Sequence, residues 1–228
     1  MTGEDWGIVL LSLKVAITAV LLVLPIAFAL AWLLARKRFP GRILVDALVH
    51  LPLVLPPVVT GWALLLLFGR MGPIGGLLDR WFGVTVMFRW TGAVIAAAVM
   101  ALPLMVRAIR LSIEAIDARL EEAARTLGAS RVRVFRTISL PLALPGILAG
   151  LVLGFARSLG EFGATISFVS NIPGETGTLP IAIYAAMQVP GGEGRVVRLA
   201  IVSVILSLGA LIASELMIRR ANPRAHVL

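Results

Sequence analysis

Apolar residues run through this chain in long blocks separated by short charged stretches. Val15 to Ala35 is a block of 21 residues with Thr18 its only polar side chain. About 20 such residues cross a bilayer as a helix. The block ends in Arg36-Lys37-Arg38-Phe39-Pro40-Gly41-Arg42, four positive charges around a Pro-Gly turn. The second block, Ile43 to Phe68, is interrupted by Asp46, His50, Pro52, Pro56 and Pro57. Proline removes a backbone donor, so a break is predicted near Leu51 to Pro57. Irregular backbone at membrane depth must be buried in protein or line a cavity. Pro56 and Pro57 are therefore candidates for a translocation pathway, although a kinked packing helix fits the same residues. Gly69 to Arg89 reads as an external loop. Trp90 to Val106 is a short third span containing Pro103, and Arg107 to Thr137 a charged loop. Leu140 to about Val169 is a fourth span carrying Arg157, Ser158 and Glu161. After an external loop at Ser170 to Gly177, Leu179 to Val189 is apolar but too short to cross, which predicts an outer-side or re-entrant helix. Leu199 to Ile218 is the last span, followed by Arg219, Arg220 and Arg224.

Charge turns this series into a topology. Cytoplasmic loops are enriched in Lys and Arg. With the loops after the first and third spans and the C-terminus placed inside, 14 Lys and Arg lie on the inner side and five on the outer. The expected fold is an all-α polytopic membrane protein of about five spans, with the N-terminus outside and the C-terminus cytoplasmic. Six spans are possible if Leu179 to Val189 joins a longer segment. Residues 1–228 form one transmembrane domain with a cytoplasmic loop at 107–140. Lys14 is expected to snorkel at the outer end of the first span, and Glu215 to pair with Arg219. Glu4 and Asp5 precede the first block where a cleaved signal peptide would be basic, so the mature N-terminus is expected there.

Composition narrows the function. The chain is 59% hydrophobic and 14% charged, outside the range of soluble domains. Its net charge of +9 is explained by loop topology rather than by nucleic acid. There are no cysteines for disulfides or thiolate metal sites, and two histidines are too few for a histidine metal cluster. Neither lysine, Lys14 or Lys37, follows the Gly-x4-Gly pattern of a phosphate-binding loop. The chain is thus expected to be a non-catalytic membrane subunit that binds no cofactor or metal. If ATP drives it, the ATPase is another protein.

One loop segment points to such a partner. Asp117 fits an N-cap and Gly128 the residue after a helix C-terminus. Leu120, Ala123, Ala124 and Leu127 lie at helical spacing on one apolar face. Spacing alone fits an amphipathic helix on the membrane surface as well as a docking surface. The run Glu122-Ala123-Ala124, Gly128, Ile138, Leu140-Pro141 closely resembles the EAA signature of ABC importer permeases, all seven positions matching. That resemblance implies an importer permease fold with a coupling helix near 118–128. Glu122, Ala123, Ala124, Arg125, Thr126, Leu127, Gly128 and Ala129 would dock into the ATPase, which uses ATP and Mg. It also implies a homodimer of this chain, two ATPase subunits and an external or periplasmic binding protein, in the cytoplasmic (inner) membrane.

Further segments are similar to the permeases of molybdate importers. They are Phe39-Pro40-Gly41, His50 to Gly61, Ala156 to Thr165 and Ser170 to Thr176. The substrate implied is molybdate, delivered by a molybdate-binding protein. Sulfate and tungstate permeases share much of the pattern. Arg157, Ser158 and Glu161, with Pro56 and Pro57, are the pathway candidates, because ionisable residues inside a span are functional candidates by default. A mutually neutralising structural Arg157–Glu161 pair is the reading these two residues favour. An ion-coupled secondary transporter would also have broken helices and buried charge, but would show internal repeats and give the loop helix no role.

Overall fold

The computed structural model describes residues 2–221, without the side chains of residues 214, 215 and 217–221. The pairing expected of Glu215 with Arg219 and the charge at Arg224 lie outside the described residues. Among the described residues the regular structure is helical throughout. The order is α1 Gly3–Arg36, α2 Arg42–Val54, α3 Pro57–Phe68, α4 Pro73–Phe82, α5 Trp90–Glu114 and α6 Ala118–Thr126. Then follow α7 Arg131–Val134, a π-helical stretch Phe135–Ser139, α8 Leu140–Leu159, α9 Gly163–Val169, α10 Leu179–Met187 and α11 Glu193–Ala221. Four of these are long and apolar enough to span, or five if the bent pair α2 and α3 is one span.

The pair α2 and α3 is bent by 115° at Leu55-Pro56, inside the predicted break, which is the geometry of a broken span or of a re-entrant loop. Asp46 on α2 accepts from Arg110 near the C-terminal end of α5 at 2.9 Å. Leu64 on α3 belongs to the same buried cluster as Val86, just before α5, and Ala93 in its first turn. α2 thus packs on α5, while α3 packs chiefly on α9. α10, with nine residues, stays too short to cross and is separated from α11 by a turn containing Gly191 at φ +79°. The described helices thus give four spans, or five with the bent pair, and α10 adds no further one.

α1, α5 and α8 form the core. α1 buries Val20, Val23, Ala27, Ala31 and Leu34, at three- and four-residue intervals, against Met105, Val106, Ile109 and Ile113 of α5. α8 approaches α5 through Gly146, Gly150 and Gly154, all buried. A Cβ on Gly146 would lie 2.2 Å from Ser112 Cβ, and one on Gly154 2.6 Å from Met105 Sδ. Small residues four apart let membrane helices pack this closely, where dispersion replaces the hydrophobic effect. α11 leaves Ile201, Val204, Ile205, Leu208 and Leu211 exposed.

Several boundaries differ from the sequence expectations. α1 begins at Gly3 because Thr2 and Asp5 form a capping box: Asp5 N donates to Thr2 Oγ1, and Thr2 N to Asp5 Oδ2. Asp5 is buried, and Arg195 of α11 reaches its Oδ1 at 3.2 Å. Lys14 therefore lies well inside α1, where its ammonium stands 3.7 Å over the Trp90 ring. Such a contact stabilises a cation in apolar surroundings. α5 continues past Val106 to Glu114, since Arg110 is paired with both Asp46 and Glu114. The charged loop ends at Ser130, because α7, the π stretch and α8 run as one 29-residue helix. The fourth span breaks at Gly160 to Phe162, so Leu140 to Val169 is two helices. The stretch 69–89, expected as a loop, contains α4, which exposes Leu77, Trp81 and Phe82 as an interfacial helix does.

Candidate functional site

α6 stands on the loop between α5 and the long helix ending in α8. Asp117 caps it, its carboxylate accepting from Arg119 N at 2.9 Å. Gly128 ends it at φ +85°, with Ala129 N donating to Ala124 O at 3.0 Å. This is a left-handed cap that satisfies the last carbonyls. A Cβ on Gly128 would meet nothing within 4 Å, so within the chain only the backbone conformation demands glycine there. No residue of α6 is buried. Glu122, Ala123, Arg125, Thr126, Leu127 and Gly128 are exposed, and Ala124 and Ala129 half-buried. Leu127 is 88% exposed and Leu120 50%, so the apolar arc faces away from the body of the protein.

The side that faces inward carries Glu121, a residue the sequence did not single out. Arg36 Nη2, at the end of α1, donates to Glu121 Oε1 at 2.7 Å. Ser139, in the π stretch, donates to the same oxygen at 2.8 Å. One carboxylate thus ties α6 to both α1 and the root of α8. The only sequence signal was an acid adjacent to the signature Glu122; nothing in the spacing told which of the two turned inward. Hydrogen bonds to charged groups contribute about 1.5–3 kcal/mol each. Thermal unfolding of Glu121→Ala, Arg36→Ala and the double variant should therefore give a coupling energy of roughly 1.5–3 kcal/mol between the two sites. Additive losses would show that the contact contributes nothing.

The pathway candidates lie at the other end of α8, about 30 Å away along its axis. There the two broken spans meet. A Cβ on Gly163 would be 2.7 Å from Pro57 Cβ, and one on Gly61 2.5 Å from Ala164 O. The breaks at Leu55-Pro56 and Gly160–Phe162 thus abut. Pro56 and Pro57 are exposed on the isolated chain. Glu161 is 3% exposed and pairs with Arg157 Nη1, while its Oε1 accepts from Ala164 N at 2.8 Å. The carboxylate therefore neutralises Arg157 and caps α9, which favours a structural pair over a free anion ligand. Ser158 Oγ and Thr60 Oγ1 are buried without hydrogen-bond partners. Thr60 was not foreseen from sequence.

Broken apolar spans, a capped helix exposed outside the bundle and a rigid helix joining the two define the membrane subunit of a transporter. The chain belongs to the binding-protein-dependent transport system inner membrane components, whose family matches residues 10–223. It is similar to the molybdenum transport system permease protein ModB of Escherichia coli (strain K12), at 60% identity over 99% of this chain and 98% of that protein. The protein of the same name from Haemophilus influenzae is also 60% identical, over 94% of this chain and 93% of its own. Among solved structures, the inward-facing MetNI methionine ABC transporter matches with a TM-score of 0.73 at 18% identity, covering 97% of this chain and 99% of that one. The last likeness shows the fold: that of an ABC importer membrane subunit.

Proposed function

We propose that this chain is the permease through which an ATP-driven importer moves molybdate across the cytoplasmic membrane. The observation that carries this is α6, a capped helix with its apolar arc turned outward and its opposite side pinned to two spans. A hydrophobic arc that the chain itself leaves uncovered fits a groove on an ATPase. In this reading the N-terminus is outside and α6 and the C-terminus are cytoplasmic, as the charge bias favours. Two copies of the chain join two ATPases and an external molybdate-binding protein. The uncovered apolar face of α11 supports a second copy or lipid beside it. ATP and Mg belong to the ATPase, and this chain binds no cofactor.

The mechanics follow from the connections. ATP closes the ATPase pair and moves the two docked α6 helices together. Glu121 passes that motion to Arg36 on α1 and Ser139 at the root of α8. α8 carries it to the junction of Pro57 with Gly163, where the broken spans can part as rigid bodies. Arg157 is neutralised, so the path holds the dianion weakly, as a conducting path must. Selectivity then resides in the binding protein. The identity with two permeases named for molybdenum transport supports molybdate; sulfate and tungstate are the alternative cargoes.

Uptake of radiolabelled molybdate by vesicles holding the chain, its ATPase and the binding protein should require ATP and fall to background without the ATPase. Uptake driven by an ion gradient with no ATPase present would reject this function and favour a secondary transporter. Uptake of sulfate in preference to molybdate would keep the importer and change the cargo.

A further inference from the structure

A cavity of about 450 Å³ lies where the end of α1, the start of α7 and the inward side of α6 meet. That volume is within the range of small-ligand sites. Four cations line it, Arg36, Lys37, Arg125 and Arg131, against one carboxylate, Glu121. Glu121 Oε1 is already occupied by Arg36 and Ser139. Lys37, Arg125 and Arg131 form no ion pair among the described residues. Arg36 also has a buried Nε with no hydrogen-bond partner. A buried unpaired donor on a cation is costly, and like charges gathered in one cavity repel. Both costs disappear when an anion enters.

The surroundings indicate which anion. Trp32 and Phe135 also line the cavity, their rings 5.2 Å apart and edge to face. Arg36 lies 5.7 Å from the Trp32 ring centre. Tryptophan beside arginine at the end of a span marks headgroup depth, and basic pockets between membrane helices hold anionic headgroups. Guanidinium forks match the several oxygens of a tetrahedral phosphate better than a single carboxylate edge.

We propose that this cavity binds a phosphate-type anion, held by Arg131 and Lys37 with Arg36 Nε as a further donor. The anion comes either from the headgroup of an anionic phospholipid or from a free oxyanion in solution. Its occupancy neutralises the same cluster that pins α6, and so braces the helix.

The test uses the full-length chain in nanodiscs, alone. In the first arm, native mass spectrometry counts phosphatidylglycerol retained from a phosphatidylcholine–phosphatidylglycerol mixture. In the second, equilibrium dialysis measures labelled inorganic phosphate bound in pure phosphatidylcholine. The double variant Lys37→Gln/Arg131→Gln changes two exposed side chains and leaves the Arg36–Glu121 contact in place. Arg80→Gln/Arg89→Gln removes equal charge from exposed positions on the other side of the bundle. Binding should fall about tenfold or more in the first variant and stay unchanged in the second, given the strength of charge-assisted hydrogen bonds. Loss confined to the lipid arm identifies a headgroup, and loss in the phosphate arm a soluble oxyanion. Equal binding by wild type and the cavity variant in both arms, or equal loss in the two variants, overturns the site. Neither arm contains the ATPase or measures transport, so a negative result leaves the importer function standing.

Discussion

Replacing Gly146 with valine should prevent the chain from packing its core. Even the first carbon of the new side chain would lie 2.2 Å from Ser112 Cβ and 2.9 Å from the Ala108 carbonyl oxygen. The second of these is helix backbone and cannot turn aside. α8 must then move off α5, and the close contacts at Gly150 and Gly154 are lost with it. A Cβ at Gly150 would lie 3.3 Å from both Ile109 Cγ1 and Met105 O, so this seam has no slack along its length. Overpacking costs about 1–3 kcal/mol where side chains can adjust. A backbone contact at two glycines of one stripe places Gly146→Val at about 3 kcal/mol or more, a large share of a stability of 5–15 kcal/mol. The checks are thermal stability and size-exclusion profile in detergent. A markedly lower midpoint or aggregation is expected, and Gly209→Val is the control, since a Cβ there meets nothing within 4 Å. Wild-type stability in Gly146→Val would show that α5 and α8 do not approach as described.

Putting a charge on the outward arc of α6 should have the opposite profile: an intact fold and no transport. Ala123→Glu changes an exposed residue, and glutamate keeps a good helix propensity. Thermal stability should stay within about 0.5 kcal/mol of wild type, as for surface substitutions generally. Burying an unpaired carboxylate in a protein groove costs several kcal/mol, enough to remove most ATPase binding and with it ATP-dependent uptake. Retained ATPase binding by Ala123→Glu would mean that this face is not the contact.

These two variants mark what the sequence could and could not disclose. Hydropathy located the spans, because uninterrupted apolar runs have one solution in a bilayer. The prolines located the elbow at Leu55-Pro56, and Asp117 and Gly128 framed α6. Boundaries were lost wherever a charge was locally satisfied. Asp5 was placed ahead of the first apolar block but lies inside α1, buried beside Arg195. Arg107 and Arg110 looked like the start of a loop, yet α5 runs on to Glu114. The second break had no proline to announce it; Gly160 and the cap from Glu161 to Ala164 make it. The glycines of α8, four residues apart, were not singled out from the sequence, because their depth against α5 is a property of packing.

The site was legible in the same uneven way. Glu122, Ala123 and Ala124 of the signature lie on an exposed helix and Ile138, Leu140 and Pro141 on the helix leading into the bundle, but the apolar face inferred from Leu120, Ala123, Ala124 and Leu127 is not the side that packs on the protein. Glu121 is the inward anchor, adjacent to the glutamate of the signature. Its partners Arg36 and Ser139 are 85 and 18 residues away along the chain, a distance over which no local pattern speaks. Arg157 and Glu161 were identified as a pair at helical spacing, and the hydrogen bond to Ala164 explains why the carboxylate is there.

The central claim is that α6 transmits force from an ATPase, and the absence of cysteine from the sequence allows a direct measurement. An Ala123→Cys variant carries a single thiol on the outward face of α6, and a Leu77→Cys variant a single thiol on α4. The rate of reaction with a water-soluble maleimide is measured for each, with and without the purified ATPase. Binding of the ATPase should slow labelling at position 123 by about tenfold or more while leaving position 77 unchanged. Equal labelling of position 123 in the free chain and in the assembled complex would contradict the claim.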